Sequence, residues 1–155
     1  MVRFFDRIEE YILIILFPLM TLIVFAATVS RYLNLVSMPW SEELARYIMA
    51  WMAYIGASLG VKRSAHLGVE VIVNLFPERL KKFAGILRVV IILLFNVLVI
   101  MFSYKIIMHQ IKIEQLSPAM GIPIWVAYLS VPVGSFMMCI RSIQIVIKQN
   151  TSKEE

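Results

Sequence analysis

The chain has 155 residues, of which 61% are hydrophobic and 16% are charged, with a formal net charge of +5. A soluble domain is nearer to half apolar, so this composition indicates an integral membrane protein with no separate soluble domain. In such a protein the basic residues report orientation in the membrane, and the positive charge does not predict a nucleic-acid partner.

The first predicted helix covers residues 8–33 and contains an uncharged run of 20 residues, Tyr11–Ser30. An apolar run of about 18 or more residues is typical of a transmembrane helix. Pro18 lies inside the run, and we expect it to kink a helix that its neighbours support. Because the run is longer than the roughly 7–15 apolar residues of a signal-peptide core, we expect a membrane span and not a cleaved signal.

The second predicted helix covers residues 39–61, and Pro39 fits its first turn, where the missing N–H costs nothing. Glu42, Glu43 and Arg46 follow at spacings of three and four, which places acids and base on one helical face. Two hypotheses follow. The three charges form a local cluster that caps the outer end of the helix, or Glu43 or Arg46 pairs with another subunit.

Small residues on the same helix allow close approach of a second helix: Ala53, Gly56, Ala57 and Gly60. Gly56 and Gly60 form a GxxxG pair, which serves packing within the chain or contact with another subunit equally well. Trp40 and Trp51 are aromatic residues of the kind that favour the membrane interface.

Residues 64–76 predict a segment that lies on the membrane surface and does not cross it. As a helix, Leu67–Phe76 places Glu70 and Asn74 on one narrow polar stripe among apolar residues. Its β-branched content also permits a strand, but an unpaired strand edge in lipid is costly, so the sequence favours an interfacial helix.

The third predicted helix, residues 77–113, would be about 55 Å long. The hydrocarbon core is about 30 Å thick, so this helix must tilt, project or break. Asn96 lies at its middle, and we expect its amide to bond another helix and not a substrate. The fourth predicted helix, residues 121–147, carries Pro132 and Gly134, where we expect a bend.

Basic residues predict the orientation of the four helices. One side of the membrane would carry Arg3, Arg7, Lys62, Arg63, Arg79, Lys81, Lys82, Arg141, Lys148 and Lys153, and the other Arg31, Lys105 and Lys112. Both termini are therefore expected in the cytoplasm. The fold class is an all-α integral membrane protein, a single domain over residues 1–155, with four transmembrane helices and an interfacial helix between the second and the third.

The sequence offers no catalytic group, metal site or cofactor site. Membrane enzymes and proton carriers keep ionisable groups deep in the bilayer, and none is found at mid-depth here. His66 and His109 are expected near opposite membrane surfaces, without a partner at metal-ligand spacing. The single cysteine, Cys139, excludes an internal disulfide. Three readings are considered: a subunit of a larger complex, an autonomous small carrier or channel that forms homo-oligomers, and a membrane enzyme or electron carrier, which these absences disfavour.

The run PWSEELARYIMAWMAYIGASLGVKRSAHLGVEVI, from Pro39 to Ile72, resembles the signature of the small membrane subunit of TRAP transporters, the tripartite ATP-independent periplasmic transporters. The matching positions are Trp40, Glu42, Glu43, Arg46, Tyr47, Trp51, Gly56, Ala57, Arg63, His66 and Glu70. The family favours aspartate where this chain has Glu70, which is a mild departure.

The resemblance implies a non-catalytic subunit in a bacterial inner membrane. Its partners would be a large permease subunit of the elevator type, a periplasmic substrate-binding protein and membrane lipids. The transporter would take up a small organic anion, such as a dicarboxylate, keto acid or sialic acid, driven by sodium. On this hypothesis Glu42, Glu43 and Arg46 fix the outer end of the second helix for subunit contact. Arg63 and His66, with Glu70, anchor its inner end near lipid headgroups.

Overall fold

A computed structural model of the chain describes residues 7–34, 36–64 and 78–151. Its helices are α1 (Ile8–Tyr32), α2 (Pro39–Ser64), α3 (Glu78–Lys112), the short α4 (Trp125–Tyr128) and α5 (Ser130–Thr151). Four stretches are long and apolar enough to cross a membrane: Ile8–Tyr32, Pro39–Val61, Val89–Lys112 and Trp125–Ile145. The prediction of an all-helical protein with four membrane spans is confirmed.

The helix ends follow local chemistry. α1 continues through Pro18, and Glu9 and Glu10 in its first turn favour the helix dipole. α3 is one unbroken helix of 35 residues, about 52 Å long. Of the three outcomes predicted for this helix, which were a tilt, a projection or a break, the break is not observed. The predicted interfacial segment, residues 64–76, lies outside the described residues after Ser64.

The fourth span is interrupted at Leu129, between α4 and α5. Pro132 has no N–H, so the carbonyl of Tyr128 lacks its usual donor four residues later. The flanking bonds persist, since Leu129 N–H donates to Trp125 O at 2.9 Å and Val133 N–H donates to Leu129 O at 3.2 Å. The irregularity that the sequence predicts at Pro132 and Gly134 therefore falls one turn earlier.

The long helices lie side by side in the order α1, α2, α5, α3. α2 packs against α1 and α5, and α5 packs against α3. We call the side of the membrane that bears segments 33–38 and 113–124 the loop side. We call the side that bears the start of α1 and the end of α5 the terminal side. The last long helix along the chain is thus an inner member of the row.

Small polar side chains are buried between the helices together with Ile48, Ile55 and Ile107, and many large apolar side chains are exposed. Among the described residues the buried polar ones include Ser41, Ser58, Ser103, Ser130, Ser135 and Ser142. Exposed apolar residues run along α1 and α3, among them Phe17, Phe25, Phe95 and Phe102. This distribution is expected in lipid, where small residues allow helices to approach and apolar exposure costs nothing.

A close helix contact lies at Gly134, where α5 packs against α2. A Cβ atom added at Gly134 would stand 2.5 Å from Tyr54 Cβ and 2.9 Å from Tyr54 C. Two carbon atoms pack at about 3.5–4.0 Å, so only glycine permits this approach. Gly134, where the sequence predicts a bend, therefore lies in the contact between α5 and α2.

Candidate functional site

The charged motif at the start of α2 joins separate parts of the chain on the loop side. Glu42 pairs with Arg31 at the end of α1, and both side chains are largely exposed. Nearby, the Ser30 hydroxyl donates to Val36 O at 2.7 Å and closes the turn between the two helices. The carboxylate of Glu42 therefore binds the preceding helix, where the sequence suggested a local pair with Arg46.

Glu43, the second acid of the motif, binds the loop between α3 and α4. Its Oε2 accepts a hydrogen bond from the N–H of Ala119 at 3.0 Å. The two residues are 76 positions apart, so this bond connects α2 to the loop that joins α3 to α4. The structure thus divides the two acids of the motif between two different contacts.

Arg46 is exposed, and its Nε donates to the Glu42 backbone carbonyl at 3.3 Å. Its guanidinium keeps further donors because an arginine side chain offers five N–H groups. Trp40 is exposed at the first turn of α2, and Trp51 is half-buried near its middle. Of the motif's polar residues, Arg46 is therefore the one best placed to meet a second protein.

A second polar cluster lies on the terminal side, and here the charges are buried. Glu9 of α1 is 1% exposed and Arg141 of α5 is 7% exposed. Arg141 Nε donates to both carboxylate oxygens of Glu9, at 3.0 Å and 3.2 Å. The fully buried Ser58 of α2 donates to Glu9 Oε1 at 2.8 Å. Arg141 also binds Gln144 Oε1 at 2.8 Å.

This cluster joins α1, α2 and α5 through one carboxylate. Glu9 accepts bonds from a cation and a hydroxyl, so its desolvation is offset by two kinds of partner. Removal of one member of such a pair leaves a buried charge uncompensated, which costs about 3–5 kcal/mol. Among the described residues, the cluster therefore ties three helices together through hydrogen bonds to Glu9.

The small residues of α2 are not packed closely by the described part of the chain. A Cβ atom at Gly56 would meet Leu13 Cδ1 only at 4.0 Å, and at Gly60 it would meet nothing within 4 Å. Ala57 is exposed. Of the two uses proposed for the GxxxG pair, tight packing within the chain is therefore not observed.

The remaining predicted residues fall in different places. Asn96 is buried in α3, and its Nδ2 donates to Ile92 O of the same helix at 2.8 Å, while the expected bond to another helix is not seen among the described residues. Arg63 lies in the last turn of α2. His66 and Glu70 lie outside the described residues.

Charged residues occur only near the ends of the membrane spans. The stretches 11–30, 47–61, 89–104 and 115–140 contain no aspartate, glutamate, lysine or arginine. Within these stretches Thr21, Asn96 and Ser103 bond carbonyls of their own helix, Asn96 to Ile92 O at 2.8 Å. The middle of the described spans therefore offers structural hydrogen bonds and no charged group for an ion or an anion.

Sequence reasoning missed Glu9, Ser58, Arg141 and the contact role of Gly134. A signal for the ion pair was present. If both termini lie on one side, Glu9 at the start of the first span and Arg141 at the end of the fourth lie at similar depth with opposite charge. The role of Ser58 gave no such signal, since a serine on a membrane helix commonly bonds its own backbone.

The chain was compared with known proteins. The sequence profile of the family described as tripartite ATP-independent periplasmic transporters, DctQ component, matches residues 20–151. The C4-dicarboxylate TRAP transporter small permease protein DctQ of Rhodobacter capsulatus is 25% identical over 175 aligned positions, which cover 94% of this chain. The protein of the same name in Vibrio cholerae is 39% identical over 98 positions, or 63% of this chain.

A third relative is a longer protein. The isethionate TRAP transporter permease protein DctMQ of Oleidesulfovibrio alaskensis is 30% identical over 105 positions, or 68% of this chain. The matched regions span 77%, 42% and 16% of the lengths of the three relatives. The profile match covers most of the chain, including all of α2, α3, α4 and α5. The chain therefore belongs to the DctQ family of TRAP transporter small permease subunits, and it is a multi-pass inner-membrane transporter component and not an enzyme.

Proposed function

We propose that this chain is the scaffold of a TRAP transporter: it binds the large, elevator-type permease subunit and holds its fixed part in place in the membrane. Family membership implies a large permease partner. From the charges of this chain we infer that it supports the partner without contacting substrate or ion.

The observation that carries the proposal is the absence of charged residues from the middle of all four described spans. A transporter of an organic anion needs polar or charged groups near the middle of the membrane to bind anion and coupling ion. The buried ion pair of this chain lies at the terminal side. Its carboxylate, on Glu9, already accepts hydrogen bonds from Arg141 and Ser58. The ion and substrate sites are therefore assigned to the partner.

The length of one relative supports the same division of roles. In the isethionate permease protein, the region similar to this chain is 16% of a longer polypeptide. There, a sequence of this kind is covalently continuous with a much larger permease chain. We infer that this chain makes the corresponding contact as a separate subunit.

The class of substrate is proposed as a small organic anion. The names of the relatives specify C4-dicarboxylate and isethionate, both of which are small organic anions. We propose that a periplasmic binding protein delivers the anion to the loop side and that a sodium gradient drives uptake. The terminal side is then cytoplasmic, and Arg63, His66 and Glu70 contact lipid headgroups there.

The test is purification of the tagged chain from its native membranes in mild detergent, followed by mass spectrometry. A large polytopic membrane protein in stoichiometric amount is expected. A chain that is recovered only with copies of itself would support the autonomous carrier and contradict the scaffold.

Arg46 gives the residue-level test, because its guanidinium is exposed beside the motif. Arg46→Ala should lower both recovery of the large subunit and sodium-dependent uptake by the reconstituted complex. Lys112→Ala, which removes another exposed cation on the loop side, is the matched control. Equal recovery and equal uptake in the two variants would contradict a role for Arg46 in assembly.

A further inference from the structure

The segment between α3 and α4, residues 113–124, is an ordered hairpin that we call the 113–124 loop. Ser117 N–H donates to Ile122 O at 2.8 Å, and Gly121 N–H donates to Ser117 O at 3.0 Å. Gly121 has a φ of +66°, a left-handed conformation that glycine adopts without strain. Met120 N–H donates to Ser117 Oγ at 3.1 Å. The tip of the loop thus satisfies most of its own backbone groups.

One backbone donor of this tip points away from the loop. The N–H of Ala119 is taken up by the Glu43 carboxylate on α2, at 3.0 Å. A hydrogen bond to an ionised carboxylate is roughly twice as strong as one between neutral groups. The bond holds the loop against a helix from which it is distant in sequence, and it occupies one oxygen of the acid that the family signature places at this position.

The loop in turn presents apolar side chains. Leu116 is 57% exposed and Ile122 is 38% exposed, and their backbones flank the turn that Glu43 holds. The direction in which these two residues face depends on where the tip is fixed. A change at Glu43 therefore alters the loop surface without any change in the loop sequence.

Resting on the proposed function, we propose that Glu43 is a positioning residue that acts through the 113–124 loop. It fixes the loop to the outer end of α2, and it does not itself pair with the large permease. This differs from the hypothesis drawn from the sequence, in which the Glu43 carboxylate contacts another subunit. If Glu43 acts in this way, another bond that holds the loop in the same position should restore the uptake that is lost when the carboxylate is removed.

The first test is hydrogen exchange of the loop amides in the purified complex. Glu43→Ala should raise exchange of the Ala119 amide by at least about tenfold, because this donor loses its acceptor. Glu43→Gln should raise it less, since the amide oxygen still accepts. Glu42→Gln is the matched control and should leave the loop unchanged, because Glu42 pairs with Arg31. Unchanged exchange in Glu43→Ala would overturn the proposal.

The second test separates positioning from direct contact. In a Cys139→Ser background, Glu43→Cys with Ala119→Cys should lower uptake, and a short bis-maleimide cross-link between the two cysteines should restore at least half of it. The Cys139→Ser chain treated with the same reagent is the control. A cross-link that forms without restoring uptake would show that the carboxylate acts directly, and wild-type uptake in Glu43→Ala would equally overturn the proposal.

The two tests also separate this proposal from the function on which it rests. If the unmodified chain assembled with the large permease shows no uptake, the proposed function fails. The exchange measurement then still decides whether Glu43 holds the loop.

Discussion

Substitution of Gly134 by alanine tests the close contact between α2 and α5. The added Cβ would lie 2.5 Å from Tyr54 Cβ and 3.0 Å from Tyr54 O. Ordinary carbon contacts are about 3.5–4.0 Å, so α2 and α5 must separate by roughly 1 Å. Two of the three close atoms belong to backbone, which cannot rotate away as a flexible side chain can.

The expected cost follows from that displacement. Overpacking a close contact costs about 1–3 kcal/mol, and a backbone obstacle places Gly134→Ala in the upper part of this range. For a chain of this size, 1 kcal/mol corresponds to about 2–4 °C in melting temperature. We therefore expect Gly134→Ala to melt roughly 4–12 °C below the unmodified chain, measured by tryptophan fluorescence in detergent.

Gly60→Ala on α2 is the matched control. The same change there meets nothing within 4 Å. Alanine has a higher helix propensity than glycine by about 1 kcal/mol, so Gly60→Ala should be neutral or slightly stabilising in the isolated chain. If the two variants melt within about 1 °C of each other, the close approach of α5 to α2 at Gly134 is refuted.

Further predictions concern the polar groups. Glu9→Leu should destabilise the chain by about 3–5 kcal/mol because Arg141 is left buried without its partner, and Glu9→Arg with Arg141→Glu should recover part of the loss; equal melting of the single and double variants would contradict the buried pair. Glu42→Gln should lower the free energy of unfolding by no more than about 1 kcal/mol, because the ion pair with Arg31 is exposed, and this small effect should vanish in high salt. Asn96→Leu should leave uptake by the reconstituted complex and the melting temperature near their original values, since the amide bonds its own helix; a selective loss of uptake would instead indicate a substrate contact.

The membrane spans were predictable because the bilayer restricts what can cross it. A segment that crosses the membrane must form all its backbone hydrogen bonds internally and must avoid charge. A long uncharged run is therefore a strong indication of a transmembrane helix. The first helix ends one residue before the predicted position, at Tyr32, and the third spans Glu78–Lys112 inside the predicted range. The second continues to Ser64, past Lys62 and Arg63, because charge ends a membrane span without ending a helix.

The helix contacts were less predictable because they depend on which helices are neighbours. The pair of Glu9 and Arg141 is 132 positions apart, and nothing in either local sequence specifies the other. The motif on α2 gave the right residues, but the partners of Glu42 and Glu43 lie on α1 and on the 113–124 loop. Gly134 was noticed for its conformational freedom, whereas the structure uses its lack of a side chain.

The order of the helices has a consequence for how the chain is completed during synthesis. α5 is made last, yet it lies between α2 and α3 and carries the arginine that neutralises Glu9 of the first helix. Until α5 enters the membrane, α2 and α3 have no shared neighbour among the described helices, and the Glu9 carboxylate lacks this cation. A chain that stops before Ser130 therefore lacks the helix that lies between α2 and α3. We expect cells to degrade such a product.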